Sequence, residues 1–183
     1  MIFSPTEVDG AYVVEIEPQR DVRGFFARTW CRREFEEHGL KGELAQCSMS
    51  YNARRGTLRG MHWQAAPSEE AKLVRCTSGA VHDVIIDLRP DSPSFLKHAA
   101  VVLTQGDRRA LYVPPGVAHG FQTLADDSEL LYQMSDFFSP EHVRGVRWND
   151  PAFGLEWPIP DPIILDRDNS YADYLIPANV IAG

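Results

Sequence analysis

A histidine and an arginine lie close together in the glycine-rich segment of residues 56–64, GTLRGMHWQ. The ordinary pKa of histidine, about 6.5, allows it to accept and return protons near neutral pH. Arginine binds paired phosphate oxygens with its planar set of donors. Flanking glycines would let the backbone approach a ligand while Arg59 and His62 project from it. This pattern is compatible with acid–base chemistry on a bound ligand, or with two ordinary surface residues at the rim of a barrel.

A second histidine follows a turn in residues 113–121, VPPGVAHGF. The Pro-Pro-Gly sequence predicts a tight turn. His119 then enters a predicted strand, in which Gly120 leaves room beside it. Taken alone, His119 could equally be a residue that only satisfies the turn.

The two segments together are similar to the pattern of the cupin superfamily, in which a His-x-His-and-Glu set meets a Pro-x-Gly-x-x-His set around a metal ion. Here Gln64 occupies the position of the second histidine. Divalent metals are usually held by three or four His, Cys or carboxylate groups. Because only His62 and His119 remain as good ligands, we expect no metal site, although Glu69 or Glu70 could help to complete one.

Short strands would have to position these residues. Alternating polar and apolar residues predict strands in six runs: 11–16, 72–77, 80–88, 99–103, 110–113 and 129–137. Residues 32–38 predict one helix, with Gly39 as its C-terminal cap. Many short strands and almost no helix indicate an all-β sandwich or barrel, and the pattern alone does not choose between them. Two segments have no clear prediction, 140–150 and 157–162, and residues 176–183 are expected to fray.

Composition limits the class of protein. The 183 residues predict a single domain, and the net charge is −8, from 18 Lys and Arg against 26 Asp and Glu. A net acidic chain is a poor nucleic-acid binder, because that affinity comes mainly from neutralising phosphates. Three cysteines without C-x-x-C spacing predict reduced thiols, and neither a signal peptide nor an apolar run of about 20 residues is found. We therefore expect a cytoplasmic protein that does not enter a membrane.

Seven segments occur in an order that resembles the dTDP-4-dehydrorhamnose 3,5-epimerase family, over residues 10–168. They are Arg23-Gly24-Phe25-Phe26, the segment 56–62, Lys72-Leu73-Val74, Asp87-Leu88-Arg89, the segment 115–121, Tyr132 and Arg147-Trp148-Asn149-Asp150-Pro151. The resemblance implies a cupin-type β-barrel (jelly roll) with few short helices, spanning residues 1–183 as one domain. It also implies a homodimer, a nucleotide-sugar substrate, no metal and no cofactor, and a place in the biosynthesis of dTDP-rhamnose or of a lipopolysaccharide or antibiotic sugar.

The same resemblance implies roles for particular residues. His62 matches the general base, Tyr132 the general acid on the opposite face of the sugar, Asp168 the carboxylate that orients the histidine, and Lys72 the cation that faces the keto oxygen. The remaining matches are expected to bind the nucleotide diphosphate and the sugar: Arg23, Phe26, Arg28, Gln46, Ser48, Arg59, His119, Phe138, which would stack on the base, and Arg167.

These residue types suit proton transfer next to a ketone. Removing a hydrogen beside a carbonyl moves charge onto the oxygen as an enolate, so the reaction needs a base near neutral pH and a positive group at that oxygen. Inversion then needs a proton donor across the ring, which a tyrosine hydroxyl can provide. Without the resemblance, Tyr132 would be interpreted as a half-buried strand residue and Asp168 as a solvated loop charge.

Four positions depart from the family pattern, all on the substrate-binding side: Arg28, Ser48, Val143 and Arg167. Arg28 and Val143 replace glutamates, Ser48 an asparagine and Arg167 a lysine. A GDP- or CDP-linked sugar, or inversion at one centre only, therefore remains an alternative to inversion of C5 and C3 of dTDP-4-dehydro-6-deoxyglucose. A metal-dependent cupin enzyme and a non-catalytic sugar-nucleotide-binding barrel are more distant alternatives.

Overall fold

The computed structural model describes residues 1–176, so nearly all of the segment expected to fray, 176–183, lies outside the described residues. Thirteen strands and two short helices are assigned within this part of the chain. The strands are β1 Ile2–Pro5, β2 Tyr12–Glu15, β3 Gln19–Asp21, β4 Gly24–Phe26, β5 Gln46–Asn52, β6 Leu58–Gln64, β7 Lys72–Ser78, β8 Ala80–Asp87, β9 His98–Thr104, β10 Ala110–Val113, β11 Val117–Thr123, β12 Ser128–Met134 and β13 Val143–Gly145. The helices are α1 Arg32–Glu37 and α2 Asp166–Asn169. None of the described helices is long and apolar enough to cross a membrane.

Two antiparallel sheets form the body of the protein. One sheet has the order β1-β2-β10-β7-β12-β5, the other has the order β13-β6-β11-β8-β9, and β3 and β4 form a separate hairpin. Leu111 and Leu130 of the first sheet and Ile85 and Phe121 of the second share one buried cluster between the sheets. The predicted all-β fold is confirmed, and it is the cupin-type β-barrel (jelly roll).

Strand β8 was predicted from its sequence, and both of its faces are buried. Val81 and Ile85 point into the cluster between the sheets. Val84 and Ile86 point the other way and pack beneath Phe153 on the outer face of the second sheet. Because both faces of β8 are buried, five of its eight residues are apolar, and four of these are β-branched.

Helix α1 agrees with its prediction to within one residue. It ends at Glu37, and Gly39 adopts a φ of +71°, a left-handed conformation that glycine accepts without steric cost. Phe35, the buried residue of the helix, joins the cluster that covers the outer face of the first sheet.

The sequence pattern missed several elements. Strands β5 and β6 were not predicted, and the run expected to continue to residue 137 ends at Met134. The glycines flanking Arg59 were interpreted as room for a ligand, but Gly60, the one glycine within β6, makes room for a neighbouring strand. A Cβ on Gly60 would overlap the Cα of Gly120, so these glycines let β6 and β11 approach each other. In the unassigned segment 140–150, a short 3₁₀ turn over Pro140–His142 leads into β13.

Candidate active site

A cavity of about 350 Å³ lies between the two sheets. Its wall is formed by strands of both sheets together with the segment around α2. Nine of the residues predicted from the sequence line it: Ser48, Arg59, His62, Lys72, His119, Tyr132, Phe138, Arg167 and Asp168.

His62 and Asp168 form a hydrogen-bonded pair in this cavity. Nε2 of His62 lies 2.8 Å from Oδ1 of Asp168, whose side chain is only 3% exposed. Burial opposes ionisation of this carboxyl, but the hydrogen bond and the charge of His62, with a further contribution from Arg167, hold the pKa of Asp168 below its ordinary value. Asp168 is therefore a buried carboxylate bonded to an imidazole, and not a solvated loop charge.

The C-terminal segment brings Asp168 to β6 by backbone pairing. Ile163 pairs in parallel with Thr57, just before β6. The amide of Ile163 donates to the carbonyl of Gly56 at 2.8 Å, and the amide of Leu58 donates to the carbonyl of Ile163 at 2.9 Å. The short helix α2 begins three residues later and presents Asp168 to His62.

Tyr132 reaches the cavity from the opposite sheet. It lies on β12, in register with Ser48 of β5 and Val74 of β7. Burial raises the pKa of Tyr132 well above its ordinary value; the charge of Asp83 raises it further, and Arg59 acts in the other direction. The phenol is therefore held in its protonated form, as a proton donor must be.

His119 has a carboxylate partner of its own, which the sequence analysis missed. Its Nε2 is hydrogen-bonded to Oδ1 of the fully buried Asp83 on β8. The ring of His119 packs edge-on against the ring of Tyr132, with centroids 5.8 Å apart. A signal for Asp83 was present in the sequence, because this residue alternates with Val81 and Ile85 and so had to face the interior.

Two of the cations that line the cavity, Lys72 and Arg59, are held by neighbouring side chains. Nζ of Lys72 lies 3.2 Å from Oε1 of Glu70 and 3.4 Å from the carbonyl oxygen of His62. Nε of Arg59 donates to Oδ1 of Asn52 at 2.8 Å. Glu70 and Asn52 are therefore additions to the epimerase-site residues predicted from the sequence.

Arg167 lies against the His62–Asp168 pair. Its Nε donates to Oδ1 of Asp168 at 3.0 Å, and its Nη2 lies 3.5 Å from Nε2 of His62. The hydrogen bond to Asp168 raises the pKa of Arg167. With its side chain 63% exposed, Arg167 remains open to an anion that enters the cavity.

Gln46 and Gln64 hold the loop that carries Phe138. Oε1 of Gln46 accepts from the amide of Phe138 at 2.9 Å, and Oε1 of Gln64 accepts from the amide of Ser139 at 2.6 Å. Nε2 of Gln64 donates to the carbonyls of Ser68 and Phe137 at 2.8 and 3.1 Å. Gln46 thus supports the cavity wall without lining it.

Three predicted binding residues, Arg23, Phe26 and Arg28, do not line this cavity. Arg23 and Phe26 both lie on the β3–β4 hairpin. The side chain of Arg23 is 86% exposed and forms an ion pair with Asp21. Phe26 is 79% exposed. Arg28 donates to Glu34 at 2.6 Å. Their binding roles remain predictions.

Neither histidine is arranged with other ligands around a metal position. Over residues 1–176, no three His, Cys, Asp or Glu side chains form a group that could hold a metal ion. Nε2 of His62 and Nε2 of His119 each face a single carboxylate, from Asp168 and Asp83.

The family model described as dTDP-4-dehydrorhamnose 3,5-epimerase matches residues 5–174 of this chain. The chain belongs to this family. Its members are carbohydrate epimerases, in the isomerase class of enzymes. The resemblance found in the sequence motifs is confirmed.

Individual relatives cover nearly the whole chain. It is 39% identical over 164 residues to the dTDP-4-dehydrorhamnose 3,5-epimerase of Shigella flexneri, a match that covers 89% of this chain and 90% of the relative. It is similar to the crystal structure of the dTDP-4-dehydrorhamnose 3,5-epimerase of Bacillus anthracis with TDP and pyrophosphate bound, at a TM-score of 0.89, 35% identity and coverage of 94% and 99%. It is also similar to ChmJ, a 3'-monoepimerase of Streptomyces bikiniensis in complex with dTDP-quinovose, at a TM-score of 0.84, 30% identity and coverage of 92% and 86%.

Proposed function

We propose that the protein inverts C5 and C3 of a dTDP-linked 4-keto-6-deoxy sugar, dTDP-4-dehydro-6-deoxyglucose, through an enolate. The observation that carries this proposal is that the two proposed proton-transfer groups come from opposite sheets. His62 lies on β6 of the five-stranded sheet and Tyr132 on β12 of the six-stranded sheet, and both line one cavity. A sugar bound between facing sheets can lose a proton to one wall and receive a proton from the other, which is the requirement for inversion.

The first step is removal of the proton at C5 by His62. Asp168, 2.8 Å from Nε2, fixes the tautomer of the imidazole and stabilises the imidazolium that forms. Negative charge then develops on the C4 keto oxygen. The ammonium of Lys72, held on the cavity wall by Glu70 and the His62 carbonyl, would stabilise that charge as it appears.

The second step is protonation of the enolate by Tyr132 from the other face. Burial keeps the phenol protonated until the enolate forms, and the edge-on packing against His119 restricts the ring. His119 is itself held by Asp83 and so presents a fixed surface to the tyrosine. Repetition of the two steps at C3 would invert the second centre.

The substrate's diphosphate would bind at Arg59 and Arg167. Both guanidinium groups line the cavity, and planar forks of donors match paired phosphate oxygens. The nucleotide base would stack on the ring of Phe138, which is 59% exposed at the cavity wall. The backbone amide of Phe138 donates to Gln46, which supports this position.

Arg23 and Phe26 suggest a homodimer. Neither residue lines the cavity of its own chain, yet the resemblance implies contact with the substrate, so the β3–β4 hairpin would have to enter the cavity of a second copy. Mixed dimers of Arg23→Ala and His62→Ala chains test this arrangement, because one of their two sites would regain both residues. Activity recovered on mixing supports the proposal, and no recovery in verified mixed dimers contradicts it.

Three free cysteines are consistent with a protein that functions in the reducing cytoplasm, where we place the enzyme.

The test of the whole proposal is incubation with 4-keto nucleotide sugars carrying thymidine, guanosine, cytidine and uridine diphosphates in deuterated water. NMR of each ring position should show deuterium and inversion at C5 and C3 with the thymidine substrate. Exchange at C3 alone would favour the activity named for ChmJ, and a tenfold preference for another nucleotide would overturn the substrate assignment.

A further inference from the structure

Glu70 is a buried carboxylate whose bonding is only half satisfied. Its side chain is 6% exposed and lines the cavity, and Oε1 pairs with Nζ of Lys72 at 3.2 Å. Its other oxygen, Oε2, is buried and has no hydrogen-bond partner among the described residues. A buried acceptor without a donor is unfavourable, so its presence beside a candidate active site calls for a partner.

Lys72 has an unused donor next to this unused acceptor. A lysine ammonium carries three donors. Glu70 Oε1 and the carbonyl oxygen of His62, at 3.4 Å, use two of them, and the side chain lines the same cavity. The pair therefore offers one donor and one acceptor from groups that touch each other.

A carbonyl oxygen beside a hydroxyl on the adjacent carbon matches this arrangement. The carbonyl can only accept, and the hydroxyl can donate. The terminal torsion of a glutamate is broad, so a small rotation of the carboxylate can bring Oε2 to a hydroxyl. Oxygens on neighbouring ring carbons lie close enough together to be bound by two groups in contact.

We propose that Glu70 and Lys72 form a subsite for an α-hydroxy ketone, in which Lys72 donates to the C4 keto oxygen and Glu70 accepts from the C3 hydroxyl. This inference rests on the proposed function, because the keto sugar is the ligand that it orients. It makes Glu70 a specificity-determining residue. A 4-keto sugar that lacks the C3 hydroxyl leaves the carboxylate oxygen buried and unpaired, so it is bound and processed less well.

The test compares two substrates in three variants. The substrates are the 4-keto-6-deoxy nucleotide sugar and its 3-deoxy analogue, and the readouts are kcat/KM for deuterium exchange at C5 and the dissociation constant by calorimetry. The parent should favour the 3-hydroxy substrate at least tenfold in both readouts. Glu70→Met, which keeps an unbranched side chain of similar length but loses the carboxylate, should reduce this preference to about twofold or less. Glu70→Gln should fall between the two, because a neutral acceptor binds a hydroxyl more weakly than a carboxylate does.

Glu69→Met is the matched control, since it removes the same charge one residue away from an exposed side chain that does not line the cavity. It should keep the parental preference. Glu70→Met also removes the partner of Lys72, which should lower kcat/KM equally for both substrates. The ratio of the two kcat/KM values therefore isolates the contact with the hydroxyl. No preference in the parent, or a parental preference in Glu70→Met, overturns the subsite. If deuterium exchanges at C5 but the parent does not prefer the 3-hydroxy substrate, the proposed reaction stands and the subsite is wrong. If the parent prefers the 3-hydroxy substrate in binding but no deuterium exchanges, the subsite stands and the proposed reaction is wrong.

Discussion

Asp168 follows His62 by 106 residues, yet its Oδ1 lies 2.8 Å from Nε2 of the histidine. The side chain of Asp168 is 3% exposed, whereas that of His62 is 24% exposed. The carboxylate is thus enclosed behind an imidazole that faces the cavity. The proposed general base, His62, would be oriented by a carboxylate in this position.

Asp168→Asn should lower kcat by about 10²–10⁴-fold, the range for loss of effective general-base catalysis. The amide keeps the shape but removes the charge that stabilises the imidazolium. Steady-state kinetics give the value. Asp166→Asn, on the exposed face of the same helix, is the matched control and should keep parental activity. Equal activities of the two variants would contradict the role of Asp168.

Arg59→Lys should weaken binding of thymidine diphosphate about tenfold, or 1.4 kcal/mol. The charge is retained, but the planar fork that matches two phosphate oxygens is lost. Calorimetric titration measures the change. Arg55→Lys, an exposed position outside the cavity, provides the control. If Arg59→Lys binds as the parent does, this arginine does not hold the diphosphate.

Chelators should leave the activity unchanged. The amide of Gln64, at the position where the cupin pattern has a ligating histidine, is bonded to the backbone of Ser68, Phe137 and Ser139. The proposed chemistry is carried by side chains alone. Activity lost on dialysis against a chelator and restored by one particular divalent ion would instead support a metal-dependent enzyme.

Asp87 should contribute to stability in a pH-dependent manner. Burial opposes its ionisation, but hydrogen bonds from Arg89, Ser92 and Ser94 hold the pKa of Asp87 below the ordinary value of 3.8. The stabilisation is fully present above about pH 4 and is lost as the pH falls through the lowered pKa of the folded state, since the unfolded state takes up the proton first.

Asp87→Asn should therefore reduce the free energy of unfolding at pH 7 by about 1.5–3 kcal/mol, the contribution of a hydrogen bond to a charged group. Urea unfolding at pH 7, 5, 4 and 3 measures it. The difference from the parent should narrow only below about pH 4. Asp91→Asn, an exposed neighbour in the same loop region, should change stability little at any of these pH values. A constant difference down to pH 3 would show that charge is not involved.

The sequence predicted the fold well where burial imposes a simple pattern. In β8, both faces are covered and β-branched residues mark the strand. In β6, Gly60 is required by the close approach of β11, and this glycine obscured the strand signal. The run that includes β12 was predicted three residues too long, because Phe137 was counted into the strand, whereas pairing ends at Met134, before the polar residues Ser135 and Asp136.

In the candidate site, likewise, some residues could be predicted from local sequence, whereas contacts between distant segments could not. His62 and His119 were recognisable from their local segments, because glycine and proline mark unusual backbone around them. The partnership of His62 with Asp168 depends on a pairing of distant segments that no local pattern contains. Asp83 was predictable from alternation in β8, whereas the half-satisfied bonding of Glu70 depends on where Lys72 and the cavity lie.

The proposed mechanism requires His62 and Tyr132 to carry out two different proton transfers on opposite faces of one sugar. Deuterium incorporation at C5 in His62→Ala and Tyr132→Phe, followed by NMR in deuterated water, tests it most directly. His62→Ala cannot form the enolate and should show neither exchange nor inversion. Tyr132→Phe keeps the base and the Lys72 charge, so the enolate should form and be reprotonated by His62 from the original face, giving slow deuterium incorporation with little inversion. Inversion at the parental rate in Tyr132→Phe, or continued exchange in His62→Ala, would contradict the account.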